Sequence, residues 1–231
     1  MRIVILTGAG VSAESGIATF RDADGLWEGH EVTQVATPEG YISDPELVHS
    51  FYNARRRQLL SEAVQPNAAH RALARLEAEH PGEVLVVTQN VDDLHERAGS
   101  RTVLHMHGEL LKARCTSCEA VTEIRVDLSP GTVCPGCGAE GAVRPHIVWF
   151  GELPLHLQEI FPALGRCELF AAIGTSGAVY PAAGFVQRAA SAGARTVELN
   201  LDASEVSSAF DEVRRGPAGQ LVPQWVEELL S

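Results

Sequence analysis

Four apolar runs recur along the chain, IVIL at 3–6, VLVV at 84–87, LFAAI at 169–173 and TVEL at 196–199. Each is short and continuous rather than alternating, as in parallel strands covered on both faces. Between the runs the period changes. NAAHRALARLEAEH repeats apolar residues three and four apart and stops before Pro81-Gly82, and PAAGFVQRAASAG ends at Gly193. Strands alternating with helices predict an α/β fold built on a doubly wound, parallel, Rossmann-like sheet. Two stretches break the alternation. Residues 30–80 read as helical without an intervening strand, and residues 113–142 are rich in Cys, Gly and Pro. Both are expected to be inserts that make a smaller lobe, which leaves 1–29, 81–112 and 143–231 to the Rossmann-like lobe of a single domain, 1–231.

Composition narrows the setting. Acidic residues outnumber basic ones 30 to 18 in 231 residues, a net charge of -12. Affinity for nucleic acid draws largely on basic side chains meeting phosphates, so no stable nucleic-acid binding is expected. Lysine-bearing proteins suit such a surface better. The opening MRIVILTGAG runs into an apolar stretch too short for a bilayer and carries no secretory cleavage region, so a cytoplasmic protein with no membrane association is expected. In a reducing compartment the five cysteines read as metal ligands or buried thiols.

Cys115-x-x-Cys118 and Cys134-x-x-Cys137, with 15 residues between the pairs, have the spacing of two knuckles closing a tetrahedral four-thiolate zinc site. Four protein ligands leave no open position for water, so one structural Zn2+ per chain is expected and 113–142 reads as a zinc-ribbon insert. Cys167, ahead of an apolar strand, reads as a buried thiol. LTGAGVSAESG places Gly8, Gly10 and Ala13 in G-x-G-x-x-G/A spacing after the first strand, where backbone amides can approach a pyrophosphate. A strand-to-helix turn with no ligand would use the same glycines. The acidic residue that a dehydrogenase carries about 20 positions on, at a strand end, has no counterpart here. Loops at later strand ends, TQNVDD at 88–93, GTS at 174–176 and NLD at 200–202, can converge with the glycine loop on one dinucleotide. In VLHMHGEL, His105 and His107 share a face if the segment is extended, and His107, followed by a glycine that leaves room around it, is a candidate general base. His70, inside a helix, and His146, beside Pro145, read as structural.

Taken in order, GAGVSAESGIATFRD, TQNVDDLH, HMHGEL, the two CxxC pairs, VWFGE, GTS and NLD resemble the sirtuins, NAD-dependent protein lysine deacylases, over nearly the whole chain. The resemblance implies that Gly8, Ala9, Gly10, Ser12, Ala13, Glu14, Ile17, Thr19, Phe20, Arg21 and Asp22, joined by Trp27, wrap the phosphates and nicotinamide ribose of NAD. It implies that Gln89, Asn90, Val91 and Asp92 line the nicotinamide side. Gly174, Thr175, Ser176, Asn200, Leu201 and Asp202 would hold the adenosine half, with Ala218 of GPAGQ as a further contact. Val148, Trp149, Phe150, Gly151 and Glu152 would pair with the backbone of an acylated lysine-bearing protein or peptide by strand addition. In the implied reaction the acyl oxygen attacks the ribose carbon bearing nicotinamide, and His107 is the general base for a ribose hydroxyl. The products are nicotinamide, free lysine and O-acyl-ADP-ribose, and zinc only holds the small lobe together. Three other readings stay open: an NAD-linked dehydrogenase from the glycine loop, a non-enzymatic zinc-ribbon binding module from the cysteines, and a mono-ADP-ribosyltransferase.

FYNARRRQL, at 51–59, sets three consecutive arginines into this acidic chain. SDPELVHSFYNARRRQLL predicts a helix with Asp44 as cap and Pro45 in the first turn. At roughly 100° per residue, Leu47, Val48, Phe51 and Ala54 share the apolar face, Arg56 and Arg57 point away, and Arg55 falls on the apolar side near Tyr52. A packed stem with its head in water accounts for such an arginine on physics alone. A Tyr-x-x-Arg pair at this place also resembles the signature of class III sirtuins, which remove acidic acyl groups. That resemblance implies that Arg55 pairs with the distal carboxylate of succinyl- or malonyl-lysine and that Tyr52 donates a hydrogen bond to it, with residual deacetylase activity alongside. A general lysine deacetylase is the alternative.

Overall fold

The computed structural model describes residues 1–18, 26, 27 and 29–231. In chain order, β1 (Ile3–Thr7) is followed by a short antiparallel pair, β2 (Leu26–Trp27) and β3 (His30–Glu31), and by four helices, α1 (Val32–Val35), α2 (Pro38–Ser43), α3 (Pro45–Leu59) and α4 (Ala68–Glu79). Next come β4 (Val84–Thr88), α5 (Leu94–Ala98), β5 (Val103–His105), β6 (Gly108–Cys115), β7 (Val121–Glu123) and β8 (Val143–Ile147). The chain closes with α6 (Leu157–Leu164), β9 (Leu169–Ile173), α7 (Phe185–Ser191), β10 (Arg195–Asn200), β11 (Glu212–Arg215) and α8 (Ala218–Leu230). No helix among the described residues is long and apolar enough to cross a membrane.

Six strands pair in parallel in the order β11-β10-β9-β1-β4-β5. Numbered by their own succession, they run 3-2-1-4-5-6 from the β5 edge, the doubly wound order with its switch point at β1. All four expected strands are present. Both faces of the sheet are covered, and β1 shows how. Ile3 and Ile5 pack on one side with Leu73 and Leu76 of α4 and Trp225 and Val226 of α8, while Val4 and Leu6 pack on the other with Ile160 and Leu164 of α6 and Phe185 of α7. The edge strands β5 and β11 were not expected, because neither VLH nor EVRR forms a continuous apolar run.

Two expected boundaries move. The helical insert was expected to run through 80, yet α4 buries Ala69, Leu73 and Leu76 in the core of the large sheet, so the inserted helices are α1 to α3. Periodicity identifies an amphipathic helix but not the surface that receives its stripe. The insert is also not wholly helical, since β3 pairs with β2. The zinc-ribbon insert was expected over 113–142, but its antiparallel sheet β7-β6-β8 begins at Gly108 and ends at Ile147.

Helix α3 begins where expected, with the Asp44 side chain accepting from the Leu47 amide at 2.9 Å and Pro45 in the first turn. Its buried side packs Val48, Phe51, Tyr52 and Leu59 against Val35, Leu110, Ile147 and Trp149. The expected orientation fails at two positions. Ala54 is exposed, and Arg56, expected to point away, is 1% exposed. A second surface, made by β6 and residues 126–128, covers the flank of α3 that the apolar pattern leaves polar.

Candidate functional site

The switch point gathers the carboxyl ends of β1, β4, β9 and β10, where ligands bind in sheets of this kind. Gly8 and Gly10 are required there by close packing. Their amides bond to the carbonyls of Ile173 and Gly174 at 3.0 and 2.9 Å, and a Cβ on either would come within 2.7 Å of Gly174. Donation to a ligand therefore falls to other groups of the loop, and the chain continues as two 3-10 turns, Ala9–Val11 and Ala13–Ser15. The Gln89 amide side chain donates to Thr175 Oγ1 at 2.9 Å, and Asn200 donates to the Thr175 carbonyl at 2.7 Å, tying the three strand-end loops together. Ala9, Gly10, Gly174 and Ser176 remain partly exposed, and Leu201 and Asp202 are exposed, along the strand ends. Thr19, Phe20, Arg21 and Asp22 lie outside the described residues.

Ser12 faces inward. It is 1% exposed and donates to Asp92 Oδ2 at 3.0 Å, while its oxygen accepts from Asn90 Nδ2 at 3.1 Å. His70 completes the set. Its Nδ1 accepts from the Asn67 amide at 3.3 Å, which assigns the proton to Nε2, 3.3 Å from Ser12 Oγ. Burial holds His70 down to about 4, so it is neutral, and pushes the Asp92 carboxyl up to about 6 against the hydrogen bonds from Leu94 and Ser12. His70, read from the sequence as structural, thus orients Ser12, and its only sequence signal is the Asn67-x-x-His70 capping pair. The Glu14 carboxylate accepts from the Gly219 amide at 2.8 Å beside Ala218, at the start of α8.

His105 and His107 do not share a strand face, because β5 ends at His105 and residues 106–107 form a turn into β6. Their roles separate accordingly. His105 is buried, with Nε2 2.7 Å from Glu96 Oε1; burial disfavours its charge, but the carboxylate outweighs burial and holds it above its ordinary value. His107 has the Gln89 carbonyl 3.2 Å from Nδ1, and burial lowers it below its ordinary value. That contact fixes the proton on Nδ1 and leaves Nε2 as a base. The following Gly108 does more than leave room. At φ +85 its Cβ would meet the His146 carbonyl at 2.0 Å, so only glycine lets the turn enter β6.

A cleft of about 430 Å³, partly open to solvent, lies beside this site, lined by Ile17, Ala18, Trp27, Arg55, Gln58, Leu59, Val91, Asp92 and Leu110. Arg55 is the one basic side chain among these, stacked 4.0 Å over the Phe51 ring and donating to the Phe51 carbonyl at 3.2 Å. Tyr52 is fully buried and not part of the lining; its oxygen accepts from Trp149 Nε1 at 3.0 Å, and burial pushes its phenol well above the ordinary range. Residues 148–152 form a turn beyond β8 rather than an open strand. The Val148 amide donates to His107 O, the Phe150 amide to Ala36 O and the Trp149 amide to Glu152 Oε2. Gly151 takes φ +88 in the turn. Glu152 is held by Arg144 and Arg114, each at 2.7 Å, and they keep its carboxyl below the usual range despite burial. The Arg144 guanidinium also stacks 3.2 Å over the Trp149 ring.

The four insert cysteines converge. All their Sγ atoms lie within 4.8 Å of one another, with Cys115···Cys137 and Cys118···Cys134 at 3.8 Å. An edge of about 3.8 Å is that of a sulfur tetrahedron with Zn–S bonds of ~2.3 Å, so the thiolates fit one zinc with no open position. The two knuckles repeat one local structure. Glu119 and Gly138, each just after its CxxC, take positive φ, and their amides bond to Cys115 O and Cys134 O, both at 2.9 Å. Cys167 is a buried thiol, as expected.

Comparison with known proteins agrees with this geometry. The profile of the Sir2 family matches residues 8–181. A protein of Vibrio parahaemolyticus named NAD-dependent protein deacylase is 58% identical over 229 residues, covering 99% of this chain and 95% of that one. One of Escherichia coli with the same name is 58% identical over 229 residues, with 99% and 82% covered. Among solved structures, a Sir2 homologue in complex with NAD superposes with a TM-score of 0.89 at 40% identity, covering 100% of this chain and 91% of the other. A Sir2 bound to acetylated peptide gives 0.84 at 30% identity, with 100% and 94% covered.

Proposed function

The chain belongs to the Sir2 family, and from that premise we propose that it is an NAD-dependent protein lysine deacylase preferring acyl groups that end in a carboxylate, succinyl- and malonyl-lysine, with residual activity on acetyl-lysine. Bound NAD supplies an ADP-ribose acceptor for the acyl group, with nicotinamide leaving. The strand-end loops bind it: the segment from Gly8 to Asp22 at the phosphates and nicotinamide ribose, Gln89 to Asp92 at the nicotinamide side, and residues 174–176 with 200–202 and Ala218 at the adenosine. Within that site His107 takes a proton from a sugar hydroxyl through Nε2. The Gln89 carbonyl fixes the ring's tautomer, and burial keeps the imidazole neutral at neutral pH. The turn at 148–152, held by Arg144 and Glu152, presents its remaining backbone groups to the substrate chain. Zinc supports the insert and takes no part in the chemistry.

One observation carries the acyl preference: Arg55 is the basic side chain among the described residues lining a mostly apolar cleft. A guanidinium there is matched by a distal carboxylate, which an acetyl group lacks. Tyr52, expected to donate to the same carboxylate, is fully buried behind this lining with Trp149 donating to its oxygen, so the preference rests on Arg55. The test is incubation with NAD and peptides that differ only in the lysine acyl group. Nicotinamide release should accompany free lysine, with kcat/KM higher for succinyl- than for acetyl-lysine. A wide acetyl preference would make the protein a general deacetylase. NADH absorbance would mark a dehydrogenase, and label from NAD retained on protein a mono-ADP-ribosyltransferase.

A further inference from the structure

Helix α3 carries two interleaved pairs. Arg55 lines the acyl cleft with Tyr52 buried behind it, and Asn53 and Arg56, each one residue on, face the zinc insert. Arg56 is buried, and its guanidinium donates to Leu110 O at 3.1 Å, to Asn53 Oδ1 at 2.7 Å and to Val126 O at 3.3 Å. Asn53 meets Leu128 as a strand would, donating to its carbonyl at 2.8 Å and accepting from its amide at 2.9 Å. Between them Arg57 pairs with Asp127. Three successive residues of the zinc insert, 126 to 128, are thus tied to three side chains of α3. Leu128 in turn packs with Cys115, Cys134, Ala113 and Val143 in the core behind the thiolates.

A buried arginine is costly unless its hydrogen bonds are made, and two buried polar side chains of this kind hold a helix in one rotation and one register. Recognition of a carboxylate by a guanidinium tolerates only about 0.5 Å and 10–20° of misplacement. We propose that Asn53 and Arg56 are specificity-positioning residues: by locking α3 to residues 126–128 they set Arg55 for a distal carboxylate, so that the zinc insert governs acyl selectivity without touching the acyl group. Neither residue contacts the catalytic histidine. Burial lowers the Arg56 guanidinium to about 10, which leaves it charged at neutral pH.

This inference rests on the acidic-acyl reading above, and one experiment separates the two. Wild type, Asn53→Ala and Arg56→Lys are compared on succinyl- and acetyl-lysine peptides, with zinc content measured for each. In Asn53→Ala, kcat/KM for the succinyl peptide should fall about tenfold through KM, the scale of a small misplacement, while the acetyl value stays within about twofold and one zinc per chain is retained. Arg56→Lys keeps the charge but cannot bridge three acceptors with a rigid fork, and it should shift the ratio the same way. This variant decides the matter if Asn53→Ala does not fold. A wild-type preference for succinyl peptide that survives unchanged in the folded variants, or an equal loss on both peptides, overturns the positioning role alone. No succinyl preference in wild type overturns the acidic-acyl reading and this inference together.

Discussion

His107 and Arg55 are both half-buried side chains, and each yields a measurable expectation. Because burial lowers His107, its neutral form persists as the pH falls below 6.5, so the acid limb of kcat/KM should lie below that value. A pH profile with the succinyl peptide checks this, and His107→Ala should remove the limb along with roughly 10²–10⁴ of the rate. Arg55→Met should lose about 2 to 4 kcal/mol of discrimination between succinyl- and acetyl-lysine, while acetyl turnover changes much less. Paired kcat/KM values measure it. At this scale the sequence was an uneven guide. Arg55 could be placed on the apolar side of its helix, since Phe51 and Val48 flank it. Arg56 could not, because its partners are the carbonyls of Leu110 and Val126, and a backbone acceptor leaves no mark on the pattern of side chains. His107 stood out only by its neighbours, and its separation from His105 depends on a turn that alternation does not reveal.

Among the elements, the four strands buried on both faces were legible as continuous apolar runs, whereas β5 and β11, each paired on one side only, were not. The cap of α3 was legible from Asp44, but α4's Asn67 cap and its place on the large sheet were not. The zinc insert was the most legible part, since the two CxxC pairs define the ligands by spacing alone, although Glu119 at positive φ gave no warning that the first knuckle matches the second. Cys134→Ser should lower bound zinc from one per chain and melt the insert before the large sheet, because a structural site contributes directly to folding. Metal analysis together with thermal unfolding followed at both lobes distinguishes this from a general loss of stability.

Across the whole molecule, buried titratable groups make stability depend on pH. His49 and His70 are lowered to about 4 and His95 to about 3, each chiefly by burial, so the unfolded chain binds their protons first as the pH falls below 6.5. Stability from these three is complete above that pH and is lost on acidification toward 4. Asp92, raised to about 6, opposes them over the lower part of the same window, because its proton stays on in the folded protein. His105, raised by Glu96, keeps its proton in both states there and acts only at higher pH. His107 and His146 are lowered in the same sense and Asp93 is raised with Asp92, so the histidines outnumber the opposing carboxyls and predict a melting temperature that falls between pH 7 and 5, a trend calorimetry would show; a flat or rising profile would contradict it. The same breadth of view gives β11 a different meaning. A parallel sheet must end somewhere, and its last strand offers unpaired amides and carbonyls to any passing chain. Here that strand reads Glu-Val-Arg-Arg, with Arg214 clasped by Glu212 and Glu228 and Arg215 by the buried Glu198. A second copy docking edge to edge would bring two such charged rows together, so the border strand that was hardest to read as a strand is also what guards the protein against polymerising through its own sheet.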